Sequence, residues 1–181
     1  MSKRILVSSA GWHAALCCVE SLSRNGWTVD ILTTSRWMPA ALSRRTTNAI
    51  LTPAETDAAS YMQKLEETLS AATYDLFIPI SDLVVEHASQ PSQMIRSYTR
   101  MVLPERSSIT AADDKGLTME LAAKLGIPCP ETLLPSSIAE VDASVEKLGM
   151  PCVVKLRRGS GSAGVLIAHT AAEVAEFVEA R

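Results

Sequence analysis

Aromatic residues make up only 4% of the 181-residue sequence, so any core must be built mainly from Ala, Leu, Val and Ile. Basic excess is also missing. Seventeen Lys and Arg stand against twenty Asp and Glu, a net charge of −3, which argues against nucleic acid as a partner. No apolar run is long enough to span a bilayer, so a membrane partner is not expected either. The four cysteines, Cys17, Cys18, Cys129 and Cys152, show neither the C-x-x-C spacing of a zinc site nor a disulfide framework, and they read as reduced thiols in a cytoplasmic protein. His13, His87 and His169 are scattered and offer no Ser-His or Cys-His arrangement. The opening MSKRILVSSAG has the basic start of a signal peptide, but Trp12 and His13 cut its apolar run short, and a first strand is the better reading. Internal repeats and low-complexity segments are lacking as well.

What is there is a β/α alternation. RILVS at 4–8 reads as a strand, and Ala15, Leu16, Val19 and Leu22 recur at helical spacing up to Asn25 and Gly26. TVDILT at 28–33 is the next strand, which makes a β-α-β unit with parallel strands and a right-handed crossover. A weaker strand covers 48–52. Asp57 can cap a helix whose apolar face is Ala58, Met62, Leu65, Leu69 and Ala72, and DLFIPI at 75–80 follows as a strand. Ser81 and Asp82 come next. A polar pair at the carboxyl end of a parallel strand is either a ligand contact on the substrate side or the N-cap of the next helix, and both readings stay open. Pro91 can start another helix, and Met101–Leu103 reads as a last strand.

The texture changes after residue 106. Asp113 and Asp114 are expected to open a helix with Leu117, Leu121 and Leu125 on one stripe. The amide-rich first turn of that helix favours an anion beside Lys115. IPCPET then forces extended chain. Ser137 with Glu140 and Thr170 with Glu173 are two capping boxes, each opening a helix. Between those helices runs PCVVKLRRGSGSAGV, a β-forming run that ends in Lys155, then a loop with Gly159, Ser160, Gly161, Ser162 and Gly164, then a second strand from Val165. Glycines that free backbone N–H groups beside a lysine suit phosphate. The lysine precedes the glycines and a strand follows them, which excludes both the Walker A loop and the dinucleotide fingerprint. The hairpin has two strands only, and needs further packing to be stable.

The β/α amino-terminal region, DDKGLTMELAAKLGIPCPET and LGMPCVVKLRRGSGSAGVLIAHTAAEVAEFVEA together resemble the ATP-grasp superfamily, most of all its carbamoyl phosphate synthetase-like and biotin carboxylase-like members. The resemblance covers the whole chain but only the first part of that architecture. It implies an α/β fold with a Rossmann-like parallel sheet, the pre-ATP-grasp domain, at 1–106. A linker helix and proline-rich exit at 107–130 and a small, incomplete α+β ATP-grasp subdomain at 131–181 follow. It further implies that Lys115 and Lys155 contact nucleotide phosphates and that the segment Gly159 to Gly164 closes over them, with Ser160 and Ser162 as donors.

By the same resemblance the cofactors are ATP and magnesium, the metal ligands are expected beyond residue 181, and the partner is a small carboxylate, with a homo-oligomer left open. The implied reaction turns that carboxylate into an acyl phosphate, which a nucleophile, commonly an amine, displaces. Little or no ATP affinity is expected of this chain alone. Two rivals remain at this point. One is a non-catalytic module that binds a small ligand on its β/α domain, and the other is a Rossmann oxidoreductase, which the single glycine of the first turn weakens.

Overall fold

The computed structural model describes residues 3–90, 92–101, 103–159 and 164–180, with Ser92 through its backbone alone. The chain divides into two compact units, Met1–Arg106 and Ser107–Arg181.

The first unit is a doubly wound α/β sheet. Its elements run β1 (Arg4–Val7), α1 (His13–Arg24), β2 (Thr28–Thr33), α2 (Pro39–Leu42), β3 (Asn48–Leu51), α3 (Ala58–Ala71), β4 (Leu76–Ile78), α4 (Asp82–Ser89), α5 (Ser92–Tyr98) and β5 (Arg100–Met101). All strand pairs are parallel, in the order β3-β2-β1-β4-β5. The order reverses between β1 and β4, the switch point at which open α/β sheets receive ligands. Strand alternation explains why both faces are apolar: Ile5, Val7, Val29 and Ile31 join Ala15 and Val19 in one core, while Leu6, Leu32 and Phe77 join Tyr61, Leu65, Val84 and Ile95 in the other.

A charged group lies inside this sheet. Asp30 on β2 is fully buried and accepts from Arg4 (2.6 and 3.0 Å), Tyr74 Oη (2.8 Å) and Asn48 Nδ2 (2.8 Å). Such a charge is tolerated because its lone pairs are taken up. The carboxylate also holds Arg4 above its ordinary pKa, while burial and the same carboxylate raise the Tyr74 phenol.

The second unit contains α6 (Arg106–Asp113), α7 (Lys115–Lys124), α8 (Ile138–Leu148), β6 (Cys152–Lys155), β7 (Val165–Ala168) and α9 (Ala171–Glu179), with β6 and β7 paired antiparallel. Both capping serine and threonine hydroxyls accept as expected, Ser137 from Glu140 N–H and Thr170 from Glu173 N–H. The reciprocal bonds are shifted one residue outward. Glu140 takes the N–H of Ser136 at 2.8 Å, and Glu173 takes that of His169 at 2.8 Å.

Two expectations need correction. Asp113 does not open the linker helix: it closes α6, a helix the sequence pattern does not announce, and Asp114 alone caps α7. The last strand begins at Arg100, a residue before the expected Met101–Leu103, and Val102 lies outside the described residues. Leu121 of α7 and Leu125 at its C-cap are 47% and 64% exposed. The short α2 is a further unannounced element, started by Pro39 at its first position.

Candidate functional site

Lys155 ends β6 on the outward face of the hairpin. The register pairs Val153 with Ile167 and Lys155 with Val165, and all four are exposed, whereas Cys152, Val154, Leu166 and Ala168 turn inward. The lysine therefore stands at the end of an open apolar patch. Leu156 N–H donates to Gly164 O at 2.9 Å, so the strand-to-strand turn holds up to both edges of the glycine loop. Gly164 has φ of +74°, and a Cβ there would come within 2.5 Å of Leu156 Cδ1, so only glycine fits. Gly159, at φ of +120°, likewise occupies a region that favours glycine. Ser160, Gly161 and Ser162 lie outside the described residues.

The start of α7 is bound to this loop. Asp114, 6% exposed, accepts from Gly116 N–H (2.9 Å) and Leu117 N–H (3.2 Å) and forms a fork with Arg157, Nε at 3.1 Å and Nη2 at 2.8 Å. The hydrogen bond from Arg157, joined by the helix amides, holds the Asp114 carboxyl below its ordinary value against the opposing effect of desolvation. Lys115 N–H donates to Arg157 O at 2.9 Å, and Lys115 Nζ donates to Gly159 O at 2.5 Å. Lys115, Arg157 and Gly159 thus converge, with Lys155 two residues before Arg157 on the same strand-loop. The expectation that the helix amides themselves receive an anion is corrected, because Asp114 already takes two of them. Arg157 was present in the sequence as one of two unassigned arginines, and only the fold gives it a partner.

In the first unit the carboxyl edge of the sheet is polar. Ser81, 3% exposed, caps α4 by accepting from Val84 N–H at 3.2 Å and donates to Glu55 Oε2 at 2.6 Å, while Asp82 is exposed in the first turn of α4. Ser81 is therefore the N-cap of α4. Across the switch point, Ile80 N–H donates to Ser8 Oγ at 2.8 Å and Ser81 N–H to Ser9 Oγ at 3.3 Å, and Ser9 takes φ of +63°, uncommon for a residue with a Cβ. Glu55, Ser8 and Ser9 carry no motif and were invisible as a group in the sequence. Two clefts lie elsewhere: one of about 610 Å3 beside Glu20 and Arg45, one of about 440 Å3 over Arg4 and Asp30.

Comparison with known proteins bears on this geometry. Residues 112–181 match the model of the RimK-like ATP-grasp domain. A protein of Sinorhizobium fredii, "Uncharacterized protein y4rH", is 33% identical over 76 residues, which are 42% of this chain and 16% of that protein. Among solved structures, an L-amino acid ligase from Bacillus licheniformis superposes with a TM-score of 0.73 at 16% identity, over 99% of this chain and 42% of that one. The biotin carboxylase domain of the 2-oxoglutarate carboxylase from Hydrogenobacter thermophilus gives 0.74 at 15% identity, over 99% and 40%. The chain thus spans less than half the length of these structures and a sixth of that relative.

Proposed function

We propose that this chain, which carries the amino-terminal portion of an ATP-grasp fold, serves a carboxylate ligase: the Ser107–Arg181 unit contributes part of the ATP site and the Met1–Arg106 unit faces the small substrate. The domain division at 1–106, 107–130 and 131–181 belongs to the same reading. Its main support is the convergence of Lys115, Arg157 and Gly159 around the loop that follows Lys155. ATP, when bound, supplies the phosphoryl group that turns a carboxylate into an acyl phosphate.

The residues present fit a nucleotide. Val153, Val165 and Ile167 form an exposed apolar face that a base or ribose can cover, and Lys155 stands at its end to meet phosphate. Lys115 Nζ rests on a backbone carbonyl, a neutral partner that phosphate oxygens can replace with a stronger charge-assisted bond. Gly159 and Gly164 keep the backbone free of side chains at both edges of the loop. Phosphoryl transfer depends on such positioning and charge neutralisation more than on a protein nucleophile, so no Ser-His pair is required. For magnesium the described residues do not fit: no group of three His, Cys, Asp or Glu among them could hold the ion.

Trapping of the acyl phosphate with hydroxylamine, in the protein that carries this chain, tests the proposal. ATP-dependent hydroxamate should form from a small carboxylate, and Lys155→Ala should lower that rate about tenfold to a hundredfold, the value of one charge-assisted phosphate contact. Turnover unchanged in Lys155→Ala would overturn the assignment.

A further inference from the structure

Two short runs of the second unit, Asp-Asp-Lys at 113–115 and Arg-Arg-Gly at 157–159, are bonded to one another, and their bonds sort the cations around the loop into two kinds. Arg157 is spent on the protein. Its Nε and Nη2 reach Asp114 at 3.1 and 2.8 Å while its carbonyl receives the Lys115 N–H at 2.9 Å, so residues 114 and 115 hold it by side chain and backbone at once. Arg158 meets Asp113 at the longer distance of 3.6 Å, an exposed pair that contributes little. Lys115 and Lys155 form no ion pair among the described residues, and Lys115 Nζ rests on the carbonyl of Gly159.

The Asp114 end of this contact is itself anchored. Its backbone N–H donates to Thr110 O at 3.2 Å, and Thr118 Oγ1 donates to Ala111 O at 2.7 Å and to Asp114 O at 3.1 Å, which joins the end of α6 to the first turn of α7. Gly116 is buried there. A Cβ on it would come within 2.9 Å of Leu134 Cδ2 and 3.1 Å of Asp114 Oδ1, so the turn admits the carboxylate because residue 116 lacks a side chain. A fixed carboxylate matched to a planar guanidinium fork sets the position of the chain that bears it, whereas a lysine on a flexible stem is free to deliver its charge to a ligand.

We propose that Asp114 and Arg157 are positioning residues that set Lys115 against the chain just beyond Lys155, so that a nucleotide's phosphates are met by the two lysines and not by this arginine. This deepens the reading above and rests on it for the nucleotide, and it takes Arg157, a cation beside the glycines, out of the binding set. The fork occupies the Nε–Nη2 edge of the guanidinium and neutralises it, while Lys115 and Lys155 keep whole charges. A phosphate contact and a positioning contact answer oppositely to the loss of Asp114. Freed from its carboxylate, a phosphate-binding arginine would hold the nucleotide more tightly, whereas a positioning arginine would lose its anchor and Lys115 its place.

The test is calorimetric titration of ADP into the protein that carries this chain, together with amide hydrogen exchange of the 181-residue chain followed by NMR at Lys115 and Gly116. Asp114→Asn keeps an acceptor for the helix cap and removes the charge that holds Arg157. Asp114→Asn and Arg157→Gln should each weaken ADP about tenfold, and the double variant should lie within about twofold of the weaker single one, because both changes remove the same bond. Arg157→Lys, which keeps the charge and loses the fork, should still weaken ADP about threefold or more. Exchange of the Lys115 amide should quicken about tenfold in Asp114→Asn and Arg157→Gln, while the Gly116 amide stays protected in Asp114→Asn. Lys147→Gln, which breaks an exposed pair with Glu131, should leave ADP affinity within roughly twofold.

Tighter ADP binding in Asp114→Asn, losses that multiply in the double variant, or full affinity in Arg157→Gln would overturn the proposal, the last even where the thermal midpoint falls, since that marks the pair as structural only. Unchanged exchange at the Lys115 amide would do the same, by showing that the fork does not hold it. ADP binding with the expected losses, but without hydroxamate formation in the parent protein, would sink the ligase reading and leave the positioning pair standing. Absence of ADP binding in the parent would overturn both.

Discussion

The two units differ in where their apolar residues go. In the first, helices cover both faces of the sheet, and Ile5, Leu6, Val7, Phe77 and Leu65 are sealed from water. In the second, Val153, Ile167, Leu121 and Leu125 stay exposed, and among its described hydrophobic residues only Ala168 and Val174 are buried. A five-stranded sheet with helices on each side completes a core by itself, whereas a two-stranded hairpin with helices on one side leaves half of its surface unpaired. The first unit is thus organised for stability with polar groups at its edge, and the second presents its lysines on an open face.

That contrast can be broken by measurement. Leu65→Ala removes a fully buried side chain from the first unit and should cost about 2–5 kcal/mol in chemical denaturation; a loss as small as that of a surface substitution would deny the sealed core. Gly164→Ala should cost roughly 1–2 kcal/mol from backbone strain alone, and more if Leu156 cannot move, read as an earlier unfolding midpoint for the second unit.

Asp114→Asn probes the tie between α7 and the loop through pH. The folded carboxyl titrates below its ordinary value of 3.8, so its contribution is fully present above that value and is lost as pH falls through the depressed one. Wild type should therefore lose stability more steeply than Asp114→Asn below about pH 4, and parallel acid curves would refute the bond to Arg157. Ile167→Ser, on the exposed face, should change stability by no more than about 0.5 kcal/mol, and a larger loss would mean that this face is covered.

Much of the fold was legible in the sequence because it rests on local rules. The spacing of Ala15, Leu16, Val19 and Leu22, the alternation within TVDILT and the caps at Asp57, Ser137 and Thr170 each act within a few residues. The unannounced α6 lacks such a signal: RSSITAAD has no apolar face to bury, and none of its residues is buried. The partnership of Asp114 with Arg157 joins residues 43 apart, and the bond from Ser81 to Glu55 joins residues 26 apart, so neither leaves a pattern in the chain.

By itself the sequence determined the alternation of strands and helices, the turn after Lys155 and the need for glycine at its edges, because backbone sterics and side-chain periodicity are properties of neighbouring residues. Only the tertiary structure decided that Lys115 reaches Gly159, that Asp114 is spent on capping and on Arg157, and that Glu55 meets Ser81 at the switch point. Hydrogen bonds and charges act over a few ångströms of space, and which residues come within that range is set by how the strands and helices pack.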